Sequence, residues 1–359
     1  MINIIFFIVL LCGTVQANVL EIGTGKPFQK IEEALKVAEE GDTLVIHPHS
    51  DGSPYRQPAL LVRTSKITIR SATPDKPVVL DGTGFEYSGR GLVPRAIIQF
   101  DPDADGCTVE GLTLINARNK SFNGAGVRIN QANNITVRRC VIQHNDMGIM
   151  SNGKVADNSG AEQMIEFCTV ADNGTKEDPG YNHNLYLGGT SATVKDCTIA
   201  RSVTGHNLKS RAHRNRIIHN RIEHSANREL DIVDEKGNTD VPDSDCFVID
   251  NVIVKDPKCT GNRAVIHFGF DGNARRDGTL RLTGNTIITP FISPVADVND
   301  GHGAEFINNK IDDNGTGQKG VLVLFHSRKM ILSGKDNVVP KRFGIRYTDS
   351  DELLPLVWK

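Results

Sequence analysis

Short runs of alternating apolar and polar residues recur along most of this chain. The phrase first reads VEGLTLIN, then VRRCVIQHN, IEFCTVADN, VKDCTIARS, IIHNRIEHS, VIDNVIVKD, LTGNTIITP and FINNKIDDN. One column of it holds Leu112, Cys140, Cys168, Cys197, Asn220, Asn251, Asn285 and Asn309, at intervals of 28, 28, 29, 23, 31, 34 and 24 residues. Alternation with a period of two predicts a β-strand in every repeat. Self-similarity at this spacing predicts one coil of a parallel β-solenoid per repeat, each with about three short strands and as many turns. Strands of successive coils stack about 4.8 Å apart, so equivalent residues form ladders along the axis. The shared column is then an interior ladder, in which Asn amides bond to one another and to turn backbone while Cys acts as a small hydrophobe. The class is all-β, with about ten or eleven coils.

The pattern changes towards the N-terminus. Residues Phe28 to Asp42 place Phe28, Ile31, Leu35 and Ala38 on one helical face, which predicts an amphipathic helix over 28–41 capping the open first coil. Coils are expected over 42–338 and a C-terminal cap over 339–359, within a single domain 18–359, because no linker or shift of composition divides the chain. Ahead of it, Met1–Ala17 is an apolar stretch ending in Val15-Gln16-Ala17, the small-residue pattern of an export signal. Cleavage after Ala17 and a secreted or periplasmic location are expected, with no membrane span after cleavage.

Composition sharpens this picture. The 34 Gly and the aromatic content of only 6% suit many tight turns rather than a helical bundle. The net charge of −2 gives no global field for nucleic acid, yet it hides a local excess: Arg201 to Arg228 holds six Arg and Lys209 against Glu223 alone, a segment of +6. A basic, elongated sheet suits an anionic polymer. The segment lacks the interleaved aromatics of single-strand binders, so an acidic polysaccharide is the expected partner of a monomeric protein, and nucleic acid is not. Six cysteines follow the signal, three of them in the ladder, while Cys246 and Cys259 bracket a strand of one long coil and are open to pairing.

The entry to the coils carries a resemblance. Through Gly41-Asp42-Thr43, Val45, Ile46, Pro48 and Tyr55, placed after the helix, the sequence resembles the right-handed parallel β-helix proteins of the pectate lyase-like superfamily. The likeness covers nearly the whole chain after the signal and implies right-handed coils. It does not select a reaction, because that fold carries lyases, hydrolases, epimerases, esterases and adhesins.

The strand after each ladder phrase gathers unusual polar residues. Aligned coils read GVRI from Gly126, GIMS from Gly148, HNLYL from His183, HNLKSR from His206 and RELDI from Arg228. Alternation turns Val127, Ile149, Leu185, Leu208 and Leu230 inward and Arg128, Met150, Tyr186, Lys209 and Asp231 outward, with His267 next in that ladder. A second outward ladder is expected to hold Asn184, Asn207 and Glu229, with His183 and His206 beside it. Arg211 shares the face of Lys209. Tyr, Lys and Arg together meet the needs of uronide β-elimination, in which a cation neutralises the carboxylate, a base removes the C5 proton and an acid protonates the leaving O4. Arg211 is assigned to the carboxylate, and Lys209 and Tyr186 share base and acid work in either order, with crowding among cations favouring a neutral Lys209. The resemblance to β-helix polysaccharide lyases, some of which use Lys with Arg and some Tyr with Lys, implies the same trio. The other ladder residues, Arg128, His183, Asn184, His206, Asn207, Glu229, Asp231 and His267, are expected to line the substrate.

Three alternatives stay open. Ca²⁺ is compatible with the acids Glu229, Asp231, Asp234 and Glu235, although alternation puts only the first two on one face. Glycoside hydrolysis needs two carboxyl groups about 5 to 9.5 Å apart, for which Glu229 and Asp231 are available. C5 epimerisation begins with the same proton removal, and Asp178 to His183 resembles the Asp-Pro-His stretch of alginate epimerases with its His three residues late. A non-catalytic carbohydrate-binding solenoid would use the same basic face.

Overall fold

The computed structural model describes residues 17–358 apart from 74, 75, 77, 157–161, 180 and 273; the expected export signal therefore lies, except for Ala17, outside the described residues. Among the described residues thirty-three strands wind into three parallel sheets of twelve, ten and eleven strands, here sheets A, B and C. A typical coil runs from Ile135–Arg138 in sheet A through Val141–Gln143 in B to Met147–Asn152 in C, then starts again at Glu162–Glu166 in A. Alternate residues of each strand point into one core that runs the length of the axis, and Val127, Ile149, Leu185, Leu208 and Leu230 are all fully buried there.

The shared column occupies the corner between sheets A and B. Each corner is a two-residue turn whose first residue is left-handed, as at Arg139, Phe167, Asp196, His219, Asp250 and Asn308, and whose second is a column residue facing inward. The column Asn follows the left-handed residue, and its inward amide satisfies the backbone groups of the corner. The Asn220 main-chain N–H and Nδ2 both donate to Asn251 Oδ1, at 2.8 and 3.0 Å, and Asn251 repeats the pattern onto Asn285, Asn285 onto Asn309 and Asn309 onto Asn337. Cysteines continue the column, with the Cys168 N–H on Cys197 Sγ at 3.4 Å and the Cys197 N–H on Asn220 Oδ1 at 2.9 Å. Asn251→Ala would strand the Asn220 N–H and remove a donor from the Ile217 carbonyl, so we expect a loss of about 2–3 kcal/mol in urea unfolding.

Three expectations change, and the pairing left open for Cys246 and Cys259 is decided. The helix spans only Ile31–Val37, because Phe28 forms an isolated parallel bridge with Ile22 and Ala38 is already extended. Coiling begins before it, with Val19–Ile22 pairing to Thr43–Ile46, and continues after residue 338 to Phe343–Tyr347 in sheet C. Cys246 and Cys259 are both unpaired. Cys246 faces the core from sheet A, where burial pushes its thiol up to about 12, whereas Cys259 sits in the loop after sheet B with Sγ donating to the Ala226 carbonyl at 3.2 Å. Finally, the +6 segment is dispersed over all three sheets and met coil by coil: Arg201 by Asp172, Arg214 by Asp243, Arg221 by Glu223, and Arg216 by the Phe247 ring. Only Lys209, Arg211 and Arg228 of that segment reach the face described next. Among the described residues no helix is long and apolar enough to cross a membrane.

Candidate functional site

Parallel, in-register pairing aligns sheet C rung by rung. Arg128 pairs with Met150, Met150 with Tyr186, Tyr186 with Lys209, Lys209 with Asp231, and Asp231 with His267, so the outward ladder read from the sequence is the one observed. The turns after Leu187 and Ser210 are short, and the next strands start at Ser191 and Arg214. Loops of neighbouring coils rise beside them. Asn238 crosses from one such loop, with Nδ2 donating to the Gly189 carbonyl at 3.1 Å and to the Arg211 carbonyl at 2.7 Å, and so fixes the chain that carries Arg211.

Tyr186, Lys209 and Arg211 converge. Arg211 Nε donates to Tyr186 Oη at 3.1 Å, and Lys209 Nζ and Arg211 Nη2 both reach Asp271 Oδ2, at 2.8 and 2.9 Å. Beneath them lies Asp231, fully buried, with Arg228 Nη1 and His267 Nδ1 each 2.8 Å from Oδ1, and Lys209 Nζ and His206 Nε2 at 3.1 and 3.3 Å from Oδ2. Burial alone would raise the Asp231 carboxyl, but His206, His267 and Lys209 together hold it well below the usual carboxylate range. Lys209 shows the converse balance. Burial pulls its ammonium down, yet Asp231 and Asp271 outweigh that and raise it, so the expected neutral Lys209 is replaced by a firmly charged one.

The two histidines form a stack under this cluster. The His206 main-chain N–H donates to His183 Nδ1 at 3.0 Å, the Arg228 N–H donates to His206 Nδ1 at 3.1 Å, and the rings lie 5.1 Å apart. Accepting at Nδ1 assigns the ring proton of each to Nε2, which in His206 faces Asp231. Gly205 makes the stack possible, since a Cβ there would collide with the Asn182 carbonyl of the previous coil. Burial lowers both imidazoles, His206 to about 4. A histidine held neutral in the fold stabilises it fully above the unfolded value of about 6.5, and that contribution is lost as pH falls towards 4. The expected slope is up to about 1.4 kcal/mol per pH unit. The raised Glu229 and Asp300 carboxyls act in the opposite sense over the same range, so the measure is the difference in urea stability between the parent and His206→Gln, which should shrink as pH falls between those limits; a constant difference assigns the effect elsewhere.

Several expected ligand contacts lie elsewhere. Asn184, Asn207 and Glu229 are not an outward ladder: all three are completely buried at the corner between sheets B and C. They extend a second internal amide chain, Asn145 to Asn173 at 3.0 Å, Asn173 to Asn184 at 2.9 Å, Asn184 to Asn207 at 2.8 Å, and Asn207 to Glu229 at 2.6 Å. Alternation fails there because strand begins only at Leu185, Leu208 and Leu230, after the chain has turned. Burial raises Glu229 to about 7, tempered by Lys255 at 3.9 Å. Glu229 and Asp231 therefore occupy different faces and do not flank a common space. His183, His206, Asp231 and His267 are likewise covered, at most 6% exposed, and support the site from below. Arg128 has Nη1 on Met150 Sδ at 3.4 Å, and burial pushes its guanidinium down to about 10.

As for the calcium acids, both oxygens of Asp234 are engaged by the N–H groups of Asp271 and Ala274, at 2.6 and 2.7 Å. Among the described residues no group of three or more His, Cys, Asp or Glu is disposed to hold a metal ion.

Two features escaped the sequence reading. Asp271 belongs to no ladder and meets Lys209 from 62 residues away; its only local signal is the Asp271-Gly272 turn pair after a sheet C strand. A cleft of about 400 Å³ also opens beside Tyr186, lined by Phe122, Met147, Met150, Asp178 and the 75% exposed Tyr181. Apolar and aromatic walls of this kind suit the faces of sugar rings.

Comparison with solved structures fits this architecture. The chain superposes on pectate lyase Pel9A with a TM-score of 0.52 at 13% identity, over 92% of this chain and 80% of that one. It matches an alginate lyase from Paenibacillus sp. str. FPU-7 with the same TM-score of 0.52 at 15% identity, over 92% and 97% of the two chains. The fold is the right-handed parallel β-helix. A tailspike protein of E. coli bacteriophage HK620, solved in complex with a hexasaccharide, shares it too, with a TM-score of 0.52 at 12% identity over 88% of this chain and 55% of that one. No protein-family profile and no curated protein matches the sequence. Enzymes of more than one substrate class and a glycan-bound tailspike thus share these coils, and the likeness shows the fold alone.

Proposed function

We propose that this protein is an exported polysaccharide lyase that binds a uronate-containing chain along sheet C and cleaves it by β-elimination. The observation that carries the reading is that the Arg211 guanidinium joins Tyr186 Oη to a carboxylate oxygen that Lys209 Nζ also reaches. Arg211 and Lys209 take the substrate carboxylate and stabilise the enolate as it forms. Tyr186, acting as the phenolate, accepts the C5 proton at Oη, because Lys209 is held as an ammonium by Asp231 and has no free electron pair for the task. The C5 electron pair becomes the new double bond to C4, the bond from C4 to O4 breaks, and Lys209 supplies the proton that O4 takes up. Transfer of a proton from Tyr186 to Lys209 restores both groups.

The ladder also suggests the direction of binding. Beyond Lys209 it continues with Asp231, His267 and Asp297, whereas before it stand Tyr186, Met150 and Arg128, so an anionic chain lies over the Arg128 side with one ring against Tyr181. Incubation with alginate, polygalacturonate and glycosaminoglycans should raise ultraviolet absorbance from an unsaturated uronate product on at least one of them. Binding without that absorbance on every polymer would overturn the lyase reading. Exchange of solvent deuterium into C5 without cleavage would identify an epimerase instead.

A further inference from the structure

Asp271 holds the site in an unusual way. Its Oδ2 accepts from Lys209 and Arg211 together, at 2.8 and 2.9 Å, and its side chain is 34% exposed, so it approaches the two cations from the solvent side. Asp231 meets Lys209 from the opposite, fully buried side at 3.1 Å. Lys209 therefore has one anionic partner that cannot leave and one that can. Tyr186 Oη accepts from Nε of the same guanidinium at 3.1 Å. A carboxylate oxygen shared by an ammonium and a guanidinium is also the arrangement a bound uronate would present.

We propose that Asp271 is an internal stand-in for the substrate, occupying the carboxylate subsite until a uronate of the polymer displaces it. The inference rests on the acidic-sugar reading above. Exchange of one carboxylate for another leaves Lys209 and Arg211 paired throughout, so neither cation is left bare in a partly desolvated site. A neutral sugar cannot make the exchange. The contact thus discriminates against uncharged polymers and weakens capture of single uronates, while a chain held at several rings can supply the difference. The loop position is set apart from the ion pairs, by the Asp271 N–H on Asp234 Oδ1 at 2.6 Å and the Ala274 N–H on Oδ2 at 2.7 Å, so the carboxylate can swing away without undoing its anchor.

The test is the affinity of the full chain for monomeric galacturonate and glucuronate, measured by calorimetry. A contact made about nine-tenths of the time lowers apparent affinity about tenfold, so Asp271→Asn should bind one of these sugars about tenfold more tightly than the parent. The gain should vanish in the double variant with Lys209→Met and should be absent for galactose. Equal or weaker uronate affinity in Asp271→Asn, with an unchanged melting temperature, overturns the proposal. Should that variant melt early, the Asp271 carboxyl carbon of the parent provides the second measurement: its NMR shift must move on saturation with polygalacturonate or alginate, and a fixed shift on both is equally fatal. Tighter uronate binding with no unsaturated product would uphold the subsite and sink the lyase reading; cleavage with unaltered affinity in Asp271→Asn would do the reverse.

Discussion

Tyr186→Phe is expected to lower turnover on the cleaved polymer by about 10² or more while leaving the melting temperature and the KM nearly unchanged. The substitution removes only Oη. The ring keeps its edge contact with His183, 5.4 Å between centroids, and its packing against Ala96, Ala125 and Met147. Loss of rate without loss of binding therefore reports proton transfer rather than architecture. Lys209→Ala should cost a similar factor of about 10² in kcat but should also raise KM, because the ammonium both holds the substrate carboxylate and protonates O4. Steady-state kinetics on one defined uronate oligosaccharide separates the two patterns. Unchanged turnover in Tyr186→Phe would return that residue to a packing role and leave the basic face as a binding surface.

Asp231→Ala should have the largest effect on stability, about 3–5 kcal/mol, because it deletes the single anion around which Lys209, Arg228, His206 and His267 are arranged. With the carboxylate gone, Arg228 and Lys209 remain as partly buried charges lacking that counterion. Asp231→Asn preserves shape and one acceptor but not the charge, so it should fall between the parent and the alanine variant. Because the folded-state carboxyl is depressed, its contribution is fully present above the ordinary Asp value of about 3.9 and is lost as pH falls through the lower folded value. Urea unfolding at neutral pH measures the loss, and the Asp231→Asn curve should be flatter than that of the parent below about pH 4. A loss no larger than that of a surface substitution would show that the cations are held by other groups.

Particular residues show how far the sequence could be read. The column from Cys140 to Asn309 was legible because it recurs at a fixed place in every coil, and a period is a property of the chain itself. The adjacency of Tyr186 and Lys209 followed, since parallel strands in register put like positions side by side. Asn184, Asn207 and Glu229 were misplaced for a definable reason: inward and outward positions alternate only within extended strand, and these residues stand in the corner before it. The +6 count misled for a similar reason. A linear sum adds Arg201, Arg214 and Arg221 to Lys209, whereas the coil distributes them around the axis, where Arg201 and Arg214 meet acids of neighbouring turns and Arg221 meets Glu223 of its own strand.

The sequence by itself determined the class of fold, the order of the rungs and the ladder from Arg128 to His267 on sheet C. Repetition suffices for that, because each coil repeats nearly the same local geometry and stacking converts sequence register into spatial register. Only the tertiary structure decided which of those residues are covered, which state Lys209 holds and what already sits on it. Those outcomes depend on loops that break the period, such as the one bringing Asp271 across 62 residues to Lys209 and the one carrying Asn238 to the Arg211 backbone. Their course is set by long-range packing and charge pairing, for which a repeating pattern carries no signal.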